Sequence, residues 1–153
     1  MLTYRKATLS DCTALTAIRM ANLAPHIENE CDEKIAILRE NVYNFFTNAL
    51  GDNSLVTWLA LDNDCIIATS GLTFFRNAPS HTNLTGLTGY ITNMYTAPEF
   101  RRRGIGTKLF ELTVDEAKSR GCGRIVLYST GLGAGIYKKY GFTECDGYMT
   151  FCP

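Results

Sequence analysis

Residues 94 to 107 read Met94-Tyr95-Thr96-Ala97-Pro98-Glu99-Phe100-Arg101-Arg102-Arg103-Gly104-Ile105-Gly106-Thr107, and this run narrows the choice of fold more than any other part of the chain. A β-favouring segment stops at Pro98, which cannot donate to a sheet ladder. Three arginines follow, then two glycines one residue apart, then residues at helical spacing. Glycine lets a backbone pass close to a ligand, because no side chain stands between its N–H and the ligand. The start of the helix adds unpaired N–H groups and the positive end of its dipole. Arg101, Arg102 and Arg103 add permanent charges suited to phosphate. The pattern predicts strand, phosphate-holding loop and helix. A solvated basic loop before a capped helix would carry the same residues, so other signals must separate the two.

Length and charge place this loop in a single ordinary domain spanning 1–153. The chain has 153 residues, 46% hydrophobic and 20% charged, enough for one sizeable core. Fifteen basic and fifteen acidic residues cancel, so no overall field favours nucleic acid or an anionic membrane. The arginine cluster is local and suits a small phosphorylated ligand. Six cysteines are scattered without a C-x-x-C pair, beside two histidines, which argues against a zinc site. No apolar run approaches the roughly 20 residues that span a bilayer. The chain opens on a strand-like segment rather than a signal sequence, so a cytoplasmic location with reduced thiols is expected.

Strand and helix signals alternate without a linker. Leu2 to Ala7 reads as a strand. Ser10 or Asp11 caps a helix bearing Leu15, Ile18 and Leu23 on one face, with Pro25 as its stop. Asp32 and Glu33 open a second helix that runs to Gly51. Leu55 to Leu61 and Ile66 to Phe75 form a hairpin around Asp62-Asn63-Asp64. Arg76 to Thr88 is a polar loop. Gly89 to Thr96 is the strand before the arginines, and Gly106 to Arg120 an amphipathic helix. Ile125 to Tyr128 is a short buried strand. A glycine-rich helix is expected from Gly131 to Tyr140. Phe142 to Cys145 and Tyr148 to Phe151 read as a closing hairpin around Asp146-Gly147.

A third glycine at Leu109 would complete a dinucleotide fingerprint, and Gly-Lys-Ser/Thr a Walker loop; neither is present. What stands here is Arg101-x-x-Gly104-x-Gly106, which resembles the acyl-CoA-binding signature of the GNAT superfamily of N-acetyltransferases, (Arg/Gln)-x-x-Gly-x-(Gly/Ala). Tyr137-Lys138-Lys139-Tyr140-Gly141-Phe142 is similar to that family's Tyr-x-x-x-Gly-Phe segment and lies about thirty residues further on. The resemblance extends over essentially the whole chain, with its specificity in these two stretches. It implies an α/β (α+β) fold, a mixed, mostly antiparallel sheet of about seven strands flanked by about four helices. In that fold the strands ending near Thr96 and starting at Ile125 run parallel and splay apart, and acetyl-CoA, the co-substrate, lies in the opening.

The resemblance also implies roles. The backbone of Met94, Tyr95 and Thr96 would pair with the pantetheine arm. Arg101 begins the signature, the amides of Arg102, Arg103, Gly104, Gly106 and Thr107 would hold the pyrophosphate, and Ile105 would pack inward. An amide near Met94 or Tyr95 would polarise the thioester carbonyl. Tyr137 would protonate the departing thiolate, with Tyr140 reading rather as a core ring. Many relatives carry an Asn seven residues before this Tyr; here it is Thr130, a candidate cofactor contact. The general base stays open among Tyr90 and Thr92, which share one side of a strand, and Glu28, Glu30 and Asp32 in the interhelical loop. Arg19 suits a substrate carboxylate or plain solvent exposure, Asn93 a bulge or the strand's other face, and His81 has no assigned role.

The reading is acetyl transfer from acetyl-CoA to a primary amine of a small molecule or amino acid, directly, with no metal. A non-catalytic acyl-CoA sensor and an acetyltransferase of a protein amine are the alternatives. The expected partner is the small-molecule amine, with no nucleic acid and no membrane, in a monomer or a homodimer.

Overall fold

Two long apolar segments set the centre of the sheet. The computed structural model describes residues 1–129, 131, 133–145 and 150–152. Leu55–Asp62 (β2) and Cys65–Arg76 (β3) pair antiparallel. Their turn residues, Asn63 and Asp64, take φ of 48° and 67°, the left-handed region that Asn and Asp tolerate and tight hairpins require. Leu2–Lys6 (β1) pairs antiparallel with β2, and Leu87–Thr96 (β4) antiparallel with β3. Arg124–Leu127 (β5) lies parallel to β4, giving one sheet in the order β1-β2-β3-β4-β5.

Helices cover both faces. Cys12–Ile27 (α1) and Asp32–Gly51 (α2) bury Cys12, Leu15, Phe46 and Ala49 against Leu55, Leu59 and Leu61 of β2. On the other face lie Ile105–Ser119 (α3) and Ala134–Tyr140 (α4), whose Phe110, Val114, Ala117 and Tyr137 pack on Leu72 and Ile91. The buried residues of α3, Ile105, Leu109, Phe110, Thr113, Val114 and Ala117, form one stripe at helical spacing. Inside this apolar layer the Ser70 and Thr113 hydroxyls meet at 2.7 Å, and Thr113 also donates to Leu109 O at 2.8 Å. Such pairing keeps two buried hydroxyls satisfied.

The architecture is the expected mixed α/β one with its helices in place, but the described residues carry five strands rather than about seven. The first strand of the expected closing hairpin is not formed. Residues 142–145 carry no strand; Phe142 packs on Phe110 while Thr143, Glu144 and Cys145 are exposed. One half-buried ring is too little apolar surface to hold a strand against water. Asp146, Gly147 and Tyr148, called as that hairpin's turn and second strand, lie outside the described residues. Pro25 also departs from expectation: it sits inside α1, which continues to Ile27. Its missing N–H falls in the last turn, where the helix loses little before it ends. Among the described residues no helix is long and apolar enough to cross a membrane.

The entry into α1 depends on one ion pair. Asp11 is buried, and its two oxygens accept from Arg5 Nη2 and Nη1 of β1, each at 2.8 Å. Its Oδ2 also accepts the Thr8 N–H at 2.8 Å. The Arg5 hydrogen bonds outweigh burial and hold the Asp11 pKa at about 2. A depressed carboxyl pKa contributes stability above the unfolded value, and the contribution disappears as pH falls through the folded value. Asp11→Asn should therefore cost about 1–2 kcal/mol at neutral pH, allowing for solvent at the half-exposed Arg5. In urea denaturation the parent should lose this margin between pH of roughly 4 and 2. A variant that loses stability with the same acid profile as the parent would show that the pair carries none of it.

Candidate active site

The site begins with a break in register. Thr69 lies opposite Tyr95, and Gly71 opposite Thr92, so Ser70 alone faces both Asn93 and Met94. This is a β-bulge, which bends a strand and increases its twist. Asn93 takes φ of 52°, and its carbonyl accepts the Thr69 hydroxyl at 2.8 Å. Pairing of β4 with β5 stops just before, at Ile91 with Leu127. From Thr92 to Thr96 the β5-facing edge of β4 has no strand beside it among the described residues. The parallel pair is thus split at its carboxyl ends, where open α/β sheets form ligand crevices.

The loop beyond β4 lines the mouth of the split. Pro98–Phe100 makes a single 3-10 turn. Arg101 then folds back, its Nε donating to Thr96 O at 3.0 Å, and Arg103 stacks over the Phe100 ring at 5.2 Å. Arg102 and Gly104 have φ of 62° and 78°. Gly104 caps α3 with its carbonyl, which accepts Lys108 N–H at 3.0 Å. None of the six amides from Arg102 to Thr107 has an acceptor among the described residues. The loop therefore presents consecutive donors, the positive end of a helix dipole and the charges of exposed Arg102 and Arg103 together. Ile105 turns inward and is buried. At Gly106 a side chain would stand 3.5 Å from Thr96 Oγ1 and 3.7 Å from Ile136 Cδ1, so the glycine keeps the space between α3, α4 and the end of β4 open.

Tyr137 is buried on α4, its ring 5.1 Å from Phe110 and folded back over Gly133. Only a glycine fits there, since a Cβ at 133 would meet the ring at 2.7 Å. Burial raises the Tyr137 pKa above the usual value. Its hydroxyl has no hydrogen-bond partner among the described residues, and the residue is 7% exposed. Tyr140 is not the core ring expected. It is 39% exposed and its hydroxyl accepts from Lys118 Nζ at 3.0 Å, because the helix turns that face toward water.

The structure brings Met94, Tyr95, Thr96 and residues 101–107 to one end of the sheet, with Tyr137 on the same face as Met94. Thr130 lies outside the described residues. The candidate bases are dispersed. Tyr90 and Thr92 lie on the face of β4 opposite α3, Tyr90 partly in solvent. Glu30 is tied to Lys34 at 2.7 Å, while Glu28, Asp32 and His81 are exposed. The loop before β4, read as plain polar connection, is instead a clasp. Asn83 is buried and donates to Leu87 O and Thr88 Oγ1, while Thr85 Oγ1 donates to Gly121 O and accepts Gly123 N–H at 3.2 Å. The partners of Thr85 lie 36 and 38 residues away, beyond any local pattern.

With this geometry in view, the comparisons with known proteins are direct. A sequence profile described as the acetyltransferase (GNAT) family matches residues 19–142, and the chain belongs to that family. A crystal structure of a predicted acetyltransferase with acetyl-CoA from Clostridium acetobutylicum is 40% identical, with a TM-score of 0.90, covering 99% of this chain and 96% of that one. A GCN5-related N-acetyltransferase from Ralstonia eutropha JMP134 shares the fold at a TM-score of 0.86 and 22% identity, covering 99% of both chains. Thialysine N-epsilon-acetyltransferase of Mus musculus is 32% identical over 73 residues, which are 44% of this chain and 43% of that protein. The match therefore spans less than half of the curated relative's length.

The loop yields a test. No atom lies within 4 Å of a Cβ built at Gly104, so Gly104→Val meets no clash, and its cost is the left-handed backbone, roughly 1–2 kcal/mol. The variant should fold, yet lose most of its affinity for acetyl-CoA in calorimetry, because the valine stands where a ligand would approach the amides. Unchanged affinity in a folded Gly104→Val protein would remove this loop from the binding site.

Proposed function

We propose that the protein moves the acetyl group of acetyl-CoA to a primary amine of a small molecule or amino acid, by direct transfer while both are bound. The observation that carries this reading is the run of six unpartnered amides at the start of α3, beside the split between β4 and β5. Consecutive N–H groups at a helix start suit a pyrophosphate, and the open edge of β4 suits an extended amide-bearing arm. The acetyl-CoA of the C. acetobutylicum structure and the amine named in the mouse relative support it.

Under this reading the amides of Arg102, Arg103, Gly104, Gly106 and Thr107 hold the pyrophosphate, and the backbone of Met94, Tyr95 and Thr96 holds the pantetheine. Arg101 has a second duty, bracing the carbonyl of Thr96 so that strand end and loop stay in register. Bound acetyl-CoA supplies a thioester acyl group and a thiol leaving group. An amide near Met94 or Tyr95 donates toward the thioester oxygen, where negative charge grows. Tyr137, a phenol whose pKa burial raises further above its ordinary value, keeps its proton at neutral pH and can pass it to the departing sulfur. Thiol and phenol pKa values of roughly 8.5 and 10 are close enough for this exchange. No carboxylate lines the cavity beside Asn93 and Tyr95, so the proton of the incoming amine leaves through water.

Thiol release from acetyl-CoA across a panel of primary amines tests the activity. On the best amine, Tyr137→Phe should lower kcat by roughly 10²–10⁴-fold, the usual contribution of one general acid, with acetyl-CoA affinity preserved because the ring still packs on Phe110. The parent should show no alkaline loss from this group until pH exceeds the ordinary phenolic value of 10.0, since its pKa is raised. A change confined to KM would make the hydroxyl a positioning group only, and a fully active variant would exclude it as the acid.

A further inference from the structure

Asn93 Oδ1 is fully buried and has no hydrogen-bond partner among the described residues. It stands at the bulge, two residues past the last β4–β5 pairing at Ile91. It lines a cavity of about 10 Å³ between α1 and β4, room for one group the size of water, which is also the size of an amino group. An unmade hydrogen bond at a buried carbonyl oxygen is unfavourable, and a ligand N–H would satisfy it.

Arg19 of α1 lines the same cavity. It is half-buried and, among the described residues, has no carboxylate, carbonyl or ring partner. Arg5 and Arg120, by contrast, are neutralised by Asp11 and Glu116. A guanidinium is always charged, and its planar fork matches a carboxylate with two parallel hydrogen bonds. No acidic side chain lines the cavity to offset it, so a second cation would be repelled there, while an anion beside the amine would be drawn to the half-buried guanidinium. We infer that the acceptor carries both a primary amine and a carboxylate, the amine donating to Asn93 Oδ1 and the carboxylate held by Arg19. This rests on the acetyl-transfer reading and narrows its substrate class to amino acids. Asn93 orients the nitrogen and takes no proton from it, since an amide oxygen is not a base at neutral pH.

The test is thiol release from acetyl-CoA by the intact protein with matched pairs of amines, each free amino acid beside its own carboxamide. The acids should show KM values roughly 10- to 100-fold below their carboxamides, the factor expected for hydrogen bonds to a charged group. Arg19→Gln should erase that preference by raising KM for the acids, and Arg19→Lys should recover part of it. Asn93→Gly keeps the left-handed backbone and removes the acceptor; it should lower kcat/KM for acids and carboxamides alike by roughly tenfold. Three results would overturn the inference while acetyl transfer stands: equal turnover of acids and carboxamides, turnover of carboxamides alone, or an acid preference that survives Arg19→Gln. Binding of acetyl-CoA without turnover of any acid would overturn it as well. Calorimetry with acetyl-CoA alone separates the two readings, since a parent protein that does not bind it refutes acetyl transfer itself.

Discussion

The bulge opposite Ser70 is the constraint on which the rest of the molecule depends. With one extra residue in β4, the strand bends, Asn93 turns into the left-handed region and the carbonyl it frees is taken by the Thr69 hydroxyl. Without it, β4 and β5 could run on side by side and close the crevice. The bulge also changes which side chains face which layer. Ile91 and Met94 both lie against the α3 layer although they are an odd number of positions apart, while Asn93 and Tyr95 face α1. One inserted residue thus opens a slot for one ligand along the strand edge and aims a polar side chain toward another on the opposite face.

Local and tertiary forces agree elsewhere in the site. Gly104 supplies the positive φ that turns the chain into α3, and that same turn leaves the first amides of the helix unpaired. The amphipathic stripe of α3 then fixes where those amides point, because Ile105, Leu109 and Phe110 are buried against the sheet. Tyr137 is fixed from two sides, by Phe110 beneath and by the bare backbone of Gly133 above. Its hydroxyl position follows from packing, with no hydrogen bond among the described residues to hold it.

Much of this was legible in the chain. The end of β4 at Pro98, the spacing of Arg101, Gly104 and Gly106, and the apolar rows of α3 are local signals, and local signals placed those elements within a few residues. The bulge was harder to see. Asn93 is a residue that strands disfavour and that tolerates positive φ, so a signal existed, but Ile91-Thr92-Asn93-Met94 carries no glycine to mark it. Residues 142 to 145 were overread as a strand because Asp146-Gly147 is a good turn dipeptide, and turn chemistry says nothing about how much surface the flanking residues can bury. Pro25 was overread as a stop for the related reason that position within a helix decides what a missing donor costs. The contacts of Thr85 with Gly121 and Gly123 could not be read at all, as those partners lie across the fold.

Those contacts give the loop before β4 a status that its place on the surface conceals. β5 is four residues long and hydrogen-bonded along one edge only among the described residues. Its approach is set by the Gly123 amide on Thr85 and by the close fit of Gly123 against Asn83, where a Cβ would lie 2.2 Å from the amide oxygen. The ten residues between β3 and β4 therefore act as a gauge block: their length sets where β5 enters the sheet, and so how wide the crevice opens at the other end. Insertions that most surface loops absorb would here be transmitted along β5, and the spacing of this loop is a handle on the width of the crevice through contacts that reach 36 and 38 residues along the chain.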